Sequence, residues 1–174
     1  MDTGSVLRSQ VEMAHQILEG TMADVTPEQA QWLPPGNAVP LGATYAHMVM
    51  GEDMMINMML QGKQQLRDTS HAGKLGLSEP PPGTGQPWEE WSRSVKVDLP
   101  ALKQYAQAVY KNTTDYIGSL SDGDLSREID LSNFGMGRQT VAWVFGNFVV
   151  GHLNNHCGEA SCLKGLQGAK GYPF

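Results

Sequence analysis

The sequence is poor in cysteine and has no long apolar run. Its two cysteines, Cys157 and Cys162, lie five residues apart on one predicted helix, about 140 degrees around its axis, so we do not expect them to bridge each other. Such cysteines suit a reducing compartment. The N-terminal residues show no apolar segment flanked by a cleavage site, and no stretch reaches about 18 consecutive apolar residues. We therefore predict a cytoplasmic protein that does not enter a membrane.

Charged residues are also few, at 17% of the chain, with 12 basic and 18 acidic side chains and a net charge of −6. The basic residues form no cluster, so a nucleic acid is not expected as a partner. The low charge is compatible with broad contacts between identical subunits, as in a homodimer. The length of 174 residues fits a single domain, residues 1–174, with a core of ordinary size.

The most informative stretch is residues 140–164, TVAWVFGNFVVGHLNNHCGEASCLK, which predicts one long final helix. Thr140 is a candidate N-cap and Gly165 a candidate stop. His152 and His156 are four residues apart, hence one turn apart on the same side. Because titratable groups among Phe, Val and Leu are costly to bury, a divalent metal that binds both imidazoles would stabilise them. Pairs of this kind also occur on ordinary helix faces, and HLNNH lacks the glutamate of a HExxH zinc protease.

Glu159 lies on the same side of this helix, three residues after His156 and seven after His152. Two roles are open for it. As a catalytic residue it would handle a proton or hold a ligand histidine in place. The alternative is an ordinary structural ion pair.

Two earlier predicted helices each carry one histidine. The first, residues 5–23, contains Glu12 and His15 as Glu-x-x-His, but a di-iron bundle needs a second such fragment and the sequence has none. We therefore expect His15 to be partly exposed or to line a central pocket. The second helix, residues 41–60, has His47 as the single histidine of its inward stripe, which makes it the candidate third ligand. That stripe consists of His47, Met50, Gly51, Met54 and Met58.

The second helix is also rich in methionine. Its methionines are Met48, Met50, Met54, Met55, Met58 and Met59. Thioethers bind Cu(I), but methionine more commonly fills irregular gaps in a core, and we favour packing. Glu52 and Asp53 lie well around the helix from His47, so we expect them to be solvated or bonded elsewhere rather than to bind a metal.

The remaining chain completes the predicted architecture. Residues 61–87, which include SEPPPGTGQP, lack periodicity and predict a long connection. A short helix follows at residues 88–97, with Trp88 and Trp91 as anchors, then a third main helix from residue 99 or 100 to about 120, and an extended segment or small hairpin within residues 127–134. We therefore predict an all-α fold, a four-helix bundle with a long crossover connection and short extra helical or extended segments.

Three parts of the sequence carry a family resemblance. They are the Pro-rich lead into PLGATYAHMVMGED, the long connection, and HLNNHCGEASCLKGLQG. With these features the chain resembles the DinB/YfiT-like family of metal-dependent enzymes over nearly its whole length. The resemblance implies a four-helix bundle, often dimeric, in which three histidines hold a divalent metal ion of the Zn or Ni type. These ligands carry over to His47, His152 and His156. Characterised relatives include thiol-using S-transferases and a maleylpyruvate isomerase.

Three hypotheses for the function follow. The first is a metal-dependent transferase, isomerase or hydrolase that acts on a small-molecule substrate, with a low-molecular-weight thiol as cosubstrate. The second is a metal-binding or ligand-binding helical bundle without catalytic turnover. The third is a purely structural dimeric bundle whose histidines belong to the core. Bound divalent metal separates the first two from the third, and turnover separates the first from the second.

Overall fold

The computed structural model describes residues 2–83 and 87–174, most of which are helical. The α-helices in chain order are α1 (Thr3–Met22), α2 (Pro27–Gln31), α3 (Leu41–Asp53), α4 (Trp88–Ser94), α5 (Leu99–Gly118), α6 (Asp122–Ser126), α7 (Val141–Trp143) and α8 (His152–Leu166). Two π-helical segments extend this set. Met54–Leu60 continues α3, and Val144–Gly151 joins α7 to α8 into one final helix.

The other elements are short. Strands β1 (Glu128–Asp130) and β2 (Arg138–Thr140) pair antiparallel, with Ile129 opposite Gln139. A small hairpin therefore precedes the final helix, but its second strand lies beyond the predicted range 127–134. One 3₁₀ turn, Leu66–Asp68, lies in the long connection, and another, Ser132–Phe134, lies between the strands. Of the predicted Pro/Gly-rich connection, residues 84–86 lie outside the described residues.

Four long helices form the predicted bundle. Helix α1 packs against α5 and against the final helix, and α3 packs against the same two neighbours. The first two long helices therefore stand diagonally across the bundle, as expected when the connections are not simply up and down. Among the described residues, none of the helices combines the length and apolar character needed to cross a membrane.

Side-chain caps mark the start of the first and the last of the long helices. The carboxylate of Asp2 accepts from the Ser5 amide at 2.7 Å, and the hydroxyl of Thr140 accepts from the Trp143 amide at 3.1 Å, as predicted for the final helix. Each such cap contributes about 0.5–2 kcal/mol. The final helix ends at Leu166, and Gly168 follows with φ of 76°. The helix therefore runs one residue past the predicted stop at Gly165, and the left-handed turn that follows falls at the next glycine.

The apolar core lies between the four helices. Its fully buried members include Val11, Leu18, Tyr45, Val49, Leu102, Val109, Val144 and Phe145. Met48, Met50 and Met55 are buried in the same core, in agreement with methionine as packing. Met58, in contrast, is 42% exposed. Its predicted inward position is wrong because the π-helical turn around it departs from the 3.6-residue period.

Glu52 is buried and joins three helices of the bundle. Its carboxylate lies 3.0 Å from the Nε2 atom of His15 on α1 and accepts a hydrogen bond of 2.5 Å from the Thr113 hydroxyl on α5. His15 is only 7% exposed, and its ring stacks on Tyr110 with the centroids 3.9 Å apart. The expectation that His15 is partly exposed is therefore wrong, whereas the expectation that Glu52 is bonded elsewhere than at a metal agrees with these contacts.

Asp53 fastens the long connection to the bundle. Its carboxylate accepts hydrogen bonds from the backbone amides of Leu66 and Arg67, both at 3.0 Å, and from the hydroxyl of Tyr105 at 2.6 Å. Asn57 donates to it as well, at 2.7 Å. A fully buried carboxylate is thus satisfied by four donors, which offsets the cost of removing its charge from water.

Candidate metal centre

Three histidines from two helices of the bundle converge. His47 lies on α3, His152 is the first residue of α8, and His156 follows one turn later. One ring nitrogen from each lies within 4.8 Å of the other two. The ring centroids are 4.6–4.9 Å apart, and the rings are inclined edge to face. The structure thus brings together the three candidate ligands that the sequence singles out.

The distance between two of these rings suits a common ion. The Nε2 atoms of His47 and His152 are 3.0 Å apart. Two nitrogens that each lie about 2.0–2.1 Å from a tetrahedral Zn²⁺ are about 3.3 Å from each other, so only a small separation of the rings is needed. Imidazole is also a ligand type that Zn²⁺ and Ni²⁺ accept. The residues present therefore fit a divalent metal ion.

The environment keeps two of the rings neutral. Burial is the main cause that lowers the pKa of His152 to about 3, and repulsion from the neighbouring rings of His47 and His156 contributes to the same shift. Burial also lowers the pKa of His47, with a second contribution from His156 and a smaller opposing one from Glu159. A neutral imidazole is the form that binds a metal, so these two ligands need not lose a proton at neutral pH.

Glu159 is placed to orient the third ring. Its Oε2 atom lies 2.7 Å from Nδ1 of His156. A carboxylate at Nδ1 favours the tautomer that carries its hydrogen there, which leaves Nε2 with a lone pair for a metal. The Glu159 side chain is 61% exposed, so the pair itself contributes little to stability. The hydrogen bond between Glu159 and His156 instead fixes the orientation of the His156 ring.

A glycine lets the His152 ring approach α3. A Cβ atom at Gly51 would stand 3.3 Å from Cε1 of His152, which is tighter than most contacts of this kind. On its other side the ring of Phe148 stacks on that of His152, with centroids 5.7 Å apart and planes inclined by 15°. Sequence periodicity placed Gly51 on the inward stripe beside His47. The contact of Gly51 with His152 was not predictable from the local sequence, because His152 belongs to another helix.

Helix α4 packs against the histidine cluster through Trp88. The ring of Trp88 meets that of His47 edge to face at 5.2 Å, and it also lies 4.5 Å from the ring of Trp91. Trp91 is 7% exposed, which agrees with its predicted role as an anchor. The contact between Trp88 and His47 is a feature that sequence reasoning missed, because the two residues are separated by the long connection.

The π-helical segment Val144–Gly151 ends immediately before His152. A π-turn contains more residues than an α-turn, so it changes the direction in which the next side chain points. Segments of this kind are frequent at functional sites. Periodicity at 100 degrees per residue correctly pairs His152 with His156, since both lie in regular α-helix, but it does not reveal the π-segment.

Two of the three histidines, His47 and His156, line a cavity of about 290 Å³. Its described lining consists of Val39, Thr44, His47, Trp88, His156 and Glu159. We refer to this space as the metal cavity. It is large enough for part of a small molecule, and it presents the Glu159 side chain beside His156.

The remaining candidate residues lie elsewhere. His15 and Glu52 bond to each other in the core, and Glu12 pairs at the surface with Arg8 at 2.8 Å, so the Glu-x-x-His fragment serves two separate contacts. Both cysteines are free thiols. Cys157 is buried and lies 3.4 Å from the hydroxyl of Thr21.

Comparisons with known proteins agree with this architecture. A crystal structure described as the conserved protein of locus from Enterococcus faecalis superposes with a TM-score of 0.78 at 22% identity, covering 94% of this chain and 96% of the other. That likeness concerns the fold. A search of curated protein sequences finds no significant match. The model of the DinB superfamily matches residues 10–160. The chain therefore belongs to the DinB superfamily.

Proposed function

We propose that this protein is a metal-dependent enzyme acting on a small molecule, with His47, His152 and His156 as ligands of one divalent ion, Zn²⁺ or Ni²⁺. The observation that carries the proposal is the convergence of three imidazoles beside an open cavity. Low pKa values of His47 and His152 support it, because both rings are neutral at neutral pH.

The metal would supply Lewis acidity at an open coordination position and lower the pKa of a water or thiol there. The chain's own residues would then orient the reactants. Trp88 borders the metal cavity against His47, and Phe148 covers the far side of His152. Both aromatic rings cover part of the imidazole surfaces and would limit the access of water to the site, which strengthens electrostatic interactions there.

We assign Glu159 the role of the catalytic carboxylate. It lines the metal cavity and bonds to Nδ1 of His156, so one group can both fix the tautomer of a ligand and accept a proton from a reactant in the cavity. The reactions that fit are thiol-dependent S-transfer, isomerisation and hydrolysis. Family membership supports the choice of a low-molecular-weight thiol as cosubstrate.

The alternative is a metal-binding or ligand-binding bundle without turnover. The observation in its favour is that Glu159, the single carboxylate in the described lining of the metal cavity, already bonds to His156. In that case the carboxylate would position the ligand and do nothing further.

A turnover screen distinguishes the two. The Zn²⁺-loaded and Ni²⁺-loaded proteins would be incubated with small thiols and a panel of electrophiles and esters, with product formation followed by mass spectrometry. The enzyme proposal expects a product that is lost in His152→Ala and in metal-free protein. Metal binding with no product across the panel would favour the alternative. We also propose that the protein forms a homodimer, because its low charge is compatible with broad contacts between identical subunits. Sedimentation of the same samples tests this, and a monomer mass would contradict it.

A further inference from the structure

A second hollow of about 440 Å³ adjoins the metal cavity. We call it the apolar lobe. Its apolar and thiol side chains are Ala38, Val39, Cys162, Leu163 and Leu166, and its polar side chains are Asn37, Thr44 and Glu159. Leu166 is 64% exposed at the end of α8, whereas Leu163, one turn earlier, is buried. A large aliphatic side chain left open at the end of a hollow offers area that an apolar ligand would cover.

The apolar lobe and the metal cavity share three lining residues, Val39, Thr44 and Glu159. The lobe therefore starts where the metal cavity ends. The Thr44 hydroxyl at this junction already donates to the carbonyl oxygen of Pro40 at 3.1 Å. A molecule whose reactive group lies near His47 and His156 would thus extend past Val39 into the lobe.

The charges around the lobe disfavour an acidic ligand. Among the described residues that line either space, none is a lysine or an arginine, and Glu159 stands at their junction. Two basic residues near the lining, Arg93 and Lys164, already donate their hydrogen bonds to other protein groups. Arg93 donates to the carbonyl oxygens of Ala38 at 2.6 Å and of Pro34 at 3.4 Å.

Lys164 is the second occupied basic residue. It follows Leu163 in sequence, but its side chain is buried, and its ammonium donates to the carbonyl oxygen of Thr21 at 2.7 Å and to the carboxylate of Asp24 at 2.5 Å. An anionic group in the lobe would therefore lose its hydration without gaining a cation, and it would also meet the charge of Glu159.

We propose that the small molecule handled at the metal centre carries an uncharged apolar arm, and that this arm lies in the apolar lobe against Val39, Leu163 and Leu166. The inference rests on the proposed function, since the metal would hold the reactive end. It assigns the substrate class as neutral and apolar, in contrast to dicarboxylates and other acidic metabolites.

The test uses the full chain loaded with Co²⁺, whose visible spectrum reports a thiol that joins the metal. Ethanethiol, butanethiol and hexanethiol are titrated, together with mercaptohexanoate, which carries a terminal carboxylate at the same length as hexanethiol. We expect affinity to rise by about two- to fourfold for each added methylene. We expect mercaptohexanoate to bind about tenfold more weakly than hexanethiol, or worse.

Two matched variants locate the effect. Leu166→Asp places a charge in the lobe and should bring the ratio of hexanethiol to ethanethiol affinity close to one. Met13→Asp makes the same change at a methionine that is 55% exposed on α1 and lies outside both linings, so it should keep the wild-type ratio. Leu166→Ser serves in the same way if the aspartate variant does not fold.

Equal affinity for the three alkanethiols, tight binding of mercaptohexanoate, or an unchanged ratio in the Leu166 variants would each overturn the inference while leaving the metal centre standing. A reduced ratio in Met13→Asp would also overturn it, because the alkyl chain would then bind nonspecifically. If the protein takes up no Co²⁺, or if no thiol alters its spectrum, the proposed function fails and the inference fails with it.

Discussion

The Nε2 atoms of His47 and His152 lie 3.0 Å apart although the residues are 105 positions apart in the chain. Two ring nitrogens this close either share a hydrogen or face one cation. Because the His152 ring packs on Gly51 of α3 and on Phe148 of the π-helical segment before α8, and both ligand candidates lie on helices, the site is formed by the bundle rather than by a flexible loop.

Gly51→Ala should lower metal affinity by about tenfold or more. The new methyl group would stand 3.3 Å from Cε1 of His152 and displace the ring. Isothermal titration with Zn²⁺ and Ni²⁺ measures the change. Gly165→Ala is the control, because a Cβ atom there meets nothing within 4 Å. It should stabilise the helix by up to about 1 kcal/mol and leave metal affinity unchanged. Equal affinity in both variants would contradict the proposed role of Gly51.

Variants of Glu159 should separate positioning from proton transfer. Glu159→Ala removes the partner of His156 Nδ1, so metal affinity should fall by about 10–100-fold. Glu159→Gln keeps an acceptor oxygen and should retain most of the affinity, but it should lose turnover because an amide does not accept a proton at neutral pH. The measurements are metal titration and the pH profile of turnover. Full turnover in Glu159→Gln would leave Glu159 as a positioning residue.

Glu52→Ala should destabilise the bundle by about 3–5 kcal/mol, because it leaves His15 without its buried partner. The comparison is Glu12→Ala, which removes a surface pair with Arg8 and should cost about 1 kcal/mol or less. Urea unfolding gives both values. Neither variant should reduce metal content per folded chain. Loss of metal in both would instead point to an ion held by the Glu-x-x-His fragment.

Acid should destabilise the metal-free protein through His152. Its pKa in the folded state is about 3, below the ordinary 6.5, so the unfolded chain binds the proton first as the pH falls. The stability contributed by the neutral ring is therefore fully present above about pH 6.5 and declines towards pH 3. Urea unfolding across this range should show a shallower loss in His152→Asn than in wild type. Identical pH dependence would contradict the burial of the ring.

Local periodicity was sufficient to predict much of the helical fold and to place the candidate histidines on inward helix faces. His152 and His156 lie one turn apart, as their spacing predicts, because that segment is regular α-helix. His47 faces inward on the second helix for the same reason. The family resemblance supplied the bundle and the three-histidine set. The sequence pattern also placed Thr140 at the start of the final helix.

What periodicity missed depends on contacts between distant segments or on irregular helix. The exposure of Met58 follows from a π-helical turn that no residue type marks. The burial of His15 follows from a carboxylate on another helix, Glu52, and the role of Gly51 follows from the ring that it faces. The apolar lobe likewise appears only after the end of α8 is packed beside Val39 and Thr44.

The most direct test of the account is elemental analysis of untagged, chelator-free protein beside His47→Ala, His152→Ala and His156→Ala, with circular dichroism as the control for folding. The account predicts about one divalent ion per wild-type chain and loss of that ion in each folded variant. A wild-type protein that carries no metal and takes up neither Zn²⁺ nor Ni²⁺ would contradict it, and so would full metal content in the three variants.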